Sequence, residues 1–291
     1  MRVTQSMLSN NLLRNLSNSY AKLGKVQEQI NTGKKVTRPS DDPVVAMKGI
    51  ALRTQLNNVE QYSRNIGEAH NWLDTTDDTL DKVNSALQRA NELMVQASSD
   101  TYTATDRNSI NSELQQLRAH IQDLANTQIG ERYIFSGTKT TTAPFADGKF
   151  AAVDEAFEKP IEIEVFDGIS MKINTTPIKL FNEIDQMFKD IDGSINSSSG
   201  EQLSKHISTI QDRMNKLTNT RADIGARQNR VELMDSRLQS QEIIATKRMS
   251  ENEDVDYEKA IVQMTTQESI HRAALSVGAS IIQPTLVDFL R

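Results

Sequence analysis

The chain carries two long ladders in which an apolar residue returns at every seventh position. The first ladder consists of Val45, Leu52, Val59, Ile66, Leu73, Leu80, Leu87 and Met94. The second consists of Leu203, Ile210, Leu217, Ile224, Val231, Leu238 and Ala245. A repeat of seven keeps one seam of a helix facing a partner over many turns, so both ladders predict coiled-coil helices. Each helix would extend for about 60–75 Å at 1.5 Å per residue.

The composition favours a mainly α fold. Of the 291 residues 37% are hydrophobic, enough for a core, but only 5% are aromatic. A β-sandwich or barrel of this size would use more aromatic and β-branched residues. The chain has no cysteine, which excludes disulfides and thiolate chemistry. We therefore predict a long coiled-coil helical bundle with paired terminal helices and a small inserted β-containing domain.

Charge is distributed unevenly along the chain. Residues 1–60 contain nine basic and four acidic residues, a net charge of +5, whereas residues 141–200 contain five basic and eleven acidic residues, a net charge of −6. The basic residues are dispersed and lack interleaved aromatic residues, so we predict no nucleic-acid partner. No run of eighteen apolar residues and no cleavable signal peptide is present, so we expect neither membrane insertion nor secretion by a cleaved signal.

Both ends of the chain show a narrow amphipathic stripe. The stripe of the first helix, roughly residues 6–31, includes Leu12, Leu16, Tyr20, Leu23, Val26 and Ile30. The stripe of the last helix includes Tyr257, Ile261, Met264, Leu275 and Ile282. An isolated helix with one narrow stripe has too little core to be secure alone. We expect these helices to pack against each other and against copies from other subunits.

The boundaries of the long helices are marked by capping residues. Gly33 ends the first helix, and a connector that contains Pro39 follows it. Asp42 is a suitable N-cap and Pro43 fits the first helical position. Thr103 begins a capping pattern for a third helix, which we expect to form an antiparallel hairpin with the helix before it.

A small module interrupts the helices. Alternating apolar residues flank the pair Asp167-Gly168, which is a strong hairpin signal. A short helix near residues 180–191 and a serine-rich loop at 193–200 follow. We predict three domains: a terminal-helix assembly domain, a long helical bundle and a small inserted α+β outer domain. Their predicted ranges are 1–42 plus 255–291, 43–140 plus 201–254, and 141–200.

The sequence offers little support for an enzyme. The four histidines stand in separate helical segments without the spacing of a metal site, so we predict neither a metal nor a cofactor. Gly33-Lys34-Lys35 lacks the glycine and the hydroxyl residue that a phosphate-binding loop needs. We predict no catalytic residue, and catalysis is the least supported interpretation.

Three blocks in this order resemble the bacterial flagellin and hook-associated family. They are residues 31–43 (NTGKKVTRPSDDP), residues 106–117 (DRNSINSELQQL) and the C-terminal helix from residue 256 to 291. The resemblance extends over about residues 1–140 and 205–291. Two features are more similar to members at the hook-filament junction than to filament subunits. One is the connector motif, which consists of Arg38, Pro39, Ser40, Asp41, Asp42 and Pro43. The other is the segment 133–138 (YIFSGT), which leads into Pro144 and Phe145.

The resemblance implies a structural protein of the bacterial flagellum that is secreted by the flagellar type III export apparatus. It implies a cytosolic export chaperone on the C-terminal helical region, and contacts with hook-associated protein 1 below and flagellin above. It also implies that the terminal helices become ordered on assembly and form an inner tube, with residues 141–200 outermost. The expected subunit-interface residues are Leu12, Leu16, Leu23, Ile30, Tyr257, Ile261, Met264, Leu275, Ile282, Leu286 and Phe289.

The sequence leaves two other interpretations open. A flagellin filament subunit would share nearly every feature except the connector and the YIFSGT segment. A soluble coiled-coil binding protein would explain the two ladders, but it would leave the three blocks as coincidence.

Overall fold

The structure is a computed structural model that describes residues 5–99, 102–151, 159–195 and 200–282. Helices dominate these residues. In chain order they are α1 (Gln5–Thr32), α2 (Pro43–Ala97), α3 (Ala104–Ala125), α4 (Ile178–Ser194), α5 (Gly200–Glu253) and α6 (Tyr257–Ile282). The predicted mainly α fold and the two long helices are therefore confirmed.

Both apolar ladders lie in helix seams, as their period predicts. From Val59 to Met94 every ladder position on α2 is buried, and from Leu203 to Ala245 every ladder position on α5 is buried. Val45 and Leu52, at the beginning of α2, are half-buried. Full burial of a leucine or isoleucine side chain contributes about 1.5–3 kcal/mol each, so the two seams supply much of the core.

Charged side chains fix the register of α2 against α5. The guanidinium of Arg221 on α5 donates from Nε to Asp77 Oδ1 at 2.9 Å and from Nη2 to Asp77 Oδ2 at 3.1 Å. Its Nη1 also lies 2.6 Å from Asp81 Oδ1, one turn further along α2. A bidentate pair restricts geometry more strongly than a lysine contact would. These pairs hold the long helices at one register along their apolar seam.

Helix α3 begins at a complete capping box. Thr103 Oγ1 accepts from the backbone N–H of Asp106 at 3.3 Å, and the Asp106 carboxylate accepts from the backbone N–H of Thr103 at 3.0 Å. Arg89 on α2 bonds Glu113 on α3 at 2.7 Å. Residues equally far from the turn thus face each other, which confirms the predicted antiparallel helix hairpin.

Three small antiparallel hairpins follow α3. Their strands are β1 (Gln128–Ile129) with β2 (Arg132–Tyr133), β3 (Phe145–Ala146) with β4 (Lys149–Phe150), and β5 (Glu162–Phe166) with β6 (Ile169–Lys172). Gly168 has φ +69° in the turn between β5 and β6, a conformation that favours glycine. The hairpin predicted at Asp167-Gly168 is therefore confirmed.

The short helix α4 covers the hairpins with one apolar face. Phe181 and Phe188 are buried, and the Phe181 ring lies edge-on to Phe135 at 5.1 Å between centroids. Asp185 is also buried on this helix, and Arg118 and Gln122 of α3 donate to it at 2.6 and 2.7 Å. The bonds to Asp185 anchor α4 on α3 in one orientation.

The chain forms two compact units. The first contains residues 1–58 and 241–291, and the second contains residues 59–240. Helices α2 and α5 contribute residues to both units. The hairpins and α4 belong to the second unit, whose core includes the ladders from Val59 to Leu238. The division into three domains given above stays a prediction.

Candidate assembly surface

Helices α1 and α6 pack as an antiparallel pair in the first unit. The rings of Tyr20 and His271 lie 6.0 Å apart between centroids. Further along the pair, the side chain of Leu12 lies against Gly278. A Cβ atom at residue 278 would be only 2.8 Å from Leu12 Cδ2. The absence of a side chain at residue 278 therefore allows the two helices to approach closely.

Backbone hydrogen bonds join the segment that follows α1 to the segment that precedes α6. Lys35 N donates to Glu253 O at 2.6 Å, and Val255 N donates to Gly33 O at 2.9 Å. Gly33 has φ +68°, and a Cβ there would lie 2.9 Å from the Tyr257 hydroxyl. Residues 33–35 and 253–255 form a short antiparallel bridge, which we call the terminal bridge.

Ionised side chains reinforce the terminal bridge. Lys34 Nζ lies 2.7 Å from Asp254 Oδ1. This hydrogen bond raises the pKa of the Lys34 ammonium and lowers the pKa of the Asp254 carboxyl, which also accepts from the Ser250 hydroxyl. Because both side chains are partly exposed, water screens the pair and its contribution to stability is small.

A buried carboxylate stands beside this pair. Glu253 is only 7% exposed, and its Oε2 accepts from Arg53 Nη2 at 2.6 Å and lies 3.5 Å from Lys34 Nζ. The carboxylate rests against Gly49 of α2, where a Cβ would lie 2.5 Å from Oε1. Glycine at this position therefore makes room for the carboxylate that connects α2, α5 and the connector.

The connector motif forms a turn followed by a helix cap. The Asp42 carboxylate accepts from the backbone N–H groups of Val44 and Val45 at 3.0 and 3.1 Å, which confirms its predicted role as N-cap of α2. Pro43 occupies the first helical position. Asp41 accepts from Arg38 N at 3.3 Å, and the ammonium of Lys25 on α1 lies 3.0 Å from it and lowers the pKa of its carboxyl. Pro39 and Ser40 are exposed.

Nine of the eleven predicted interface residues lie on α1 and α6, where several remain accessible. Tyr257 and Ile261 are each 51% exposed, and Leu275 is 48% exposed. The half-buried members are Leu12, Leu16, Leu23, Ile30 and Met264. Ile282 is the last residue of α6, and Leu286 and Phe289 lie outside the described residues. The role of these residues in subunit contacts stays a prediction.

The first unit buries little of its apolar surface. Within its described residues the buried hydrophobic side chains are Val26, Ala245 and Ala260. By contrast, the first unit holds all but three of the exposed large apolar side chains in the described chain, the three exceptions being Val95, Tyr102 and Leu233. Exposed apolar surface that is concentrated in one region marks an interaction site.

Sequence reasoning missed part of this exposed surface. Val44, Met47 and Ile50 on α2 are 61%, 72% and 64% exposed, and Ile243 and Ile244 on α5 are 70% and 50% exposed. The sequence did contain the pattern of this second surface, because these residues are apolar at positions of the seven-residue repeat that face away from the ladder seam. A helix that is apolar on both faces has a second surface to bury.

The described residues offer no evident site for a metal and no membrane span. Within the ranges given above, no group of three or more histidine, aspartate or glutamate side chains could hold a metal ion. Among the described helices none is both long and apolar enough to cross a membrane. The exposed apolar surface of the first unit is therefore the candidate functional surface.

A helical chain with exposed apolar stripes at both ends is typical of structural subunits that associate with other subunits. The sequence matches the bacterial flagellin N-terminal helical region over residues 3–140 and the bacterial flagellin C-terminal helical region over residues 207–290. These two regions make up most of the chain. The chain belongs to the bacterial flagellin family, a family of structural flagellar components.

Relatives of similar length include a hook-associated protein and a flagellin. The flagellar hook-associated protein 3 of Escherichia coli is 29% identical over 94% of this chain and 95% of that protein. The flagellin of Bacillus subtilis is 25% identical over 96% of this chain and 95% of that protein. The crystal structure of Bacillus cereus FlgL has a TM-score of 0.60 and 24% identity, over 69% of this chain and 99% of that chain, which indicates a shared fold.

Proposed function

We propose that the chain is the structural subunit that joins the hook of the bacterial flagellum to its flagellin filament. The observation that carries this proposal is the similarity, over nearly the full length of both chains, to a protein named flagellar hook-associated protein 3. The connector motif and residues 133–138 support the same assignment. The exposed apolar surface of the first unit supplies the contacts that such a subunit needs.

The proposed partners follow from this position. Copies of this chain form a layer, one face of which contacts hook-associated protein 1 while the other contacts flagellin. Before assembly, a cytosolic chaperone binds the C-terminal helical region and delivers the chain to the flagellar type III export apparatus. Masking exposed apolar side chains such as Ile261 and Val262 prevents premature association, since such surfaces aggregate when uncovered. The protein acts without catalysis.

A filament subunit is the second candidate, favoured by the near full-length match to the flagellin of Bacillus subtilis. The two candidates differ in where the protein lies and in how many copies a flagellum needs. A junction requires one short layer, whereas a filament requires subunits along its whole length.

Immunogold electron microscopy of intact flagella distinguishes these candidates. The antibody is raised against residues 141–200, the acidic segment that carries no recognisable family block. We expect one cluster of gold particles where the hook meets the filament. Gold along the entire filament would identify a flagellin instead, and flagella from a deletion strain serve as the control.

A further inference from the structure

Two exposed apolar stripes in the first unit differ in the charges beside them. The stripe on α2, which we call the basic stripe, consists of Val44, Met47 and Ile50. The stripe on α6, which we call the acidic stripe, consists of Tyr257, Ile261 and Val262. All six side chains are at least half exposed in the isolated chain, so neither stripe covers the other.

The basic stripe is flanked by cations. Lys48 is exposed and stands four residues after Val44, so it shares that side of the helix. Arg38 in the connector is also exposed, and its nearest acidic partner, Glu28, is 3.8 Å away. Lys48 forms no ion pair with any described residue. A cation is therefore available beside apolar surface.

The acidic stripe has mainly anions beside it, with Lys259 as the exposed cation among them. Glu258 is exposed and stands four residues before Val262, so it shares that side of α6. Glu251 and Asp256 are exposed in the preceding segment. Within the described chain Glu258 forms no ion pair. Residues 241–291 contain eight acidic and five basic residues, against the net charge of +5 in residues 1–60.

We propose that the basic stripe of one copy docks on the acidic stripe of the next copy in the assembled layer, with Lys48 facing Glu258 across the contact. This proposal rests on the proposed function and names the contact between neighbouring copies. Apolar surface supplies the burial, and complementary charge selects the partner and the register. Since the two stripes are different surfaces, the contact runs head to tail and can repeat from copy to copy.

The absence of cysteine makes a cross-linking test straightforward. Met47→Cys and Val262→Cys chains are expressed together in place of the natural chain, and isolated flagella are oxidised and immunoblotted. A disulfide requires Cα atoms within about 7 Å, so only surfaces in direct contact cross-link. We expect a dimer when both variants are present and none when either variant is present alone.

Leu233→Cys provides a matched control, because Leu233 is 72% exposed, as is Met47, but lies in the second unit. We expect no dimer from Leu233→Cys with Val262→Cys. Flagella that contain both stripe variants without a dimer would overturn the docking proposal. So would a dimer from one variant alone, which would indicate a two-fold contact, or an equally abundant dimer in the control.

A charge reversal keeps the test decisive if the cysteine variants do not assemble. Lys48→Glu should reduce the amount of chain retained in flagella by up to about fivefold per contact, and Lys48→Glu with Glu258→Lys should restore it. Failure of the second reversal to restore retention, or no effect of the first, would refute the contact. Immunogold labelling of the unsubstituted chain tests the junction role separately, so the two failures can be distinguished.

Discussion

At the scale of single residues, Asp185 shows how a buried charge can hold two elements together. The side chain is 3% exposed. Burial by itself would raise the pKa of the Asp185 carboxyl, but hydrogen bonds from Arg118, Lys189 and Gln122 outweigh burial and lower it. The carboxylate is therefore the form that stabilises the contact between α3 and α4.

Asp185→Asn should destabilise the protein by about 2 kcal/mol at neutral pH, because it removes charge-assisted bonds from a buried site. The folded-state pKa is depressed, so this stabilisation is present above the ordinary carboxyl pKa and is lost as the pH falls through the folded-state value. Urea unfolding followed by circular dichroism at several pH values measures the difference. We expect the difference in unfolding free energy between the natural chain and Asp185→Asn to become smaller only in the acid range.

Asp190→Asn is the matched control on the same helix. Asp190 is exposed, and its carboxylate accepts from Gln186 at 2.9 Å. Its replacement should change the free energy of unfolding by no more than about 0.5 kcal/mol. Equal effects from the two substitutions would contradict the role assigned to burial at Asp185.

At the scale of elements, two glycines in α2 should respond in opposite ways to alanine. Alanine is favoured over glycine inside a helix by about 0.5–1 kcal/mol. A Cβ at Gly67 meets nothing within 4 Å, so Gly67→Ala should stabilise the protein by that amount. A Cβ at Gly49 would lie 2.5 Å from the Glu253 carboxylate, so Gly49→Ala should displace that side chain from Arg53 and Lys34.

Hydrogen-deuterium exchange measures the consequence of Gly49→Ala locally. We expect faster exchange at residues 33–35 and 253–255, because the terminal bridge depends on the position of Glu253. Gly67→Ala should leave exchange there unchanged. Slower exchange at the terminal bridge in Gly49→Ala would show that the Glu253 carboxylate does not need the space left by the glycine.

At the scale of the whole molecule, assembly should depend on the stripes of the terminal helices. Leu16→Asp, Ile261→Asp and Met264→Asp together place three charges on surface that we expect neighbouring subunits to bury. Burying an unpaired charge is unfavourable by several kcal/mol, so the variant should be absent from flagella. Immunoblots of isolated flagella and swimming assays measure the loss.

The same variant should keep its long helices, because the ladder from Val59 to Leu238 lies in the second unit. Circular dichroism of the purified chain checks this expectation. Leu233→Asp is the control, since Leu233 is an exposed apolar residue outside the first unit and its replacement should leave assembly intact. A triple variant that still supports normal flagella would exclude these residues as subunit contacts.

The sequence alone determined the features that depend on local spacing. The seven-residue period defined both long helices and their buried seams, because that period places every ladder residue on one side of a helix. Helix starts and the hairpin turn were also predictable, because they depend on bonds within a few residues. They are marked by Asp42 with Pro43, by the capping box at Thr103 and by Asp167-Gly168. Amphipathic spacing also identified the terminal helices.

Contacts between residues that are distant in the chain depend on the tertiary structure. Lys34 and Asp254 are separated by 220 residues, and nothing in their local sequence predicts the terminal bridge. The burial of Glu253 against Gly49 and the contacts of Asp185 likewise depend on how helices rotate and approach one another. The exposed face of Val44, Met47 and Ile50 became evident only once packing had shown which side of α2 remains uncovered, since periodicity places residues on a face but packing determines which faces are buried.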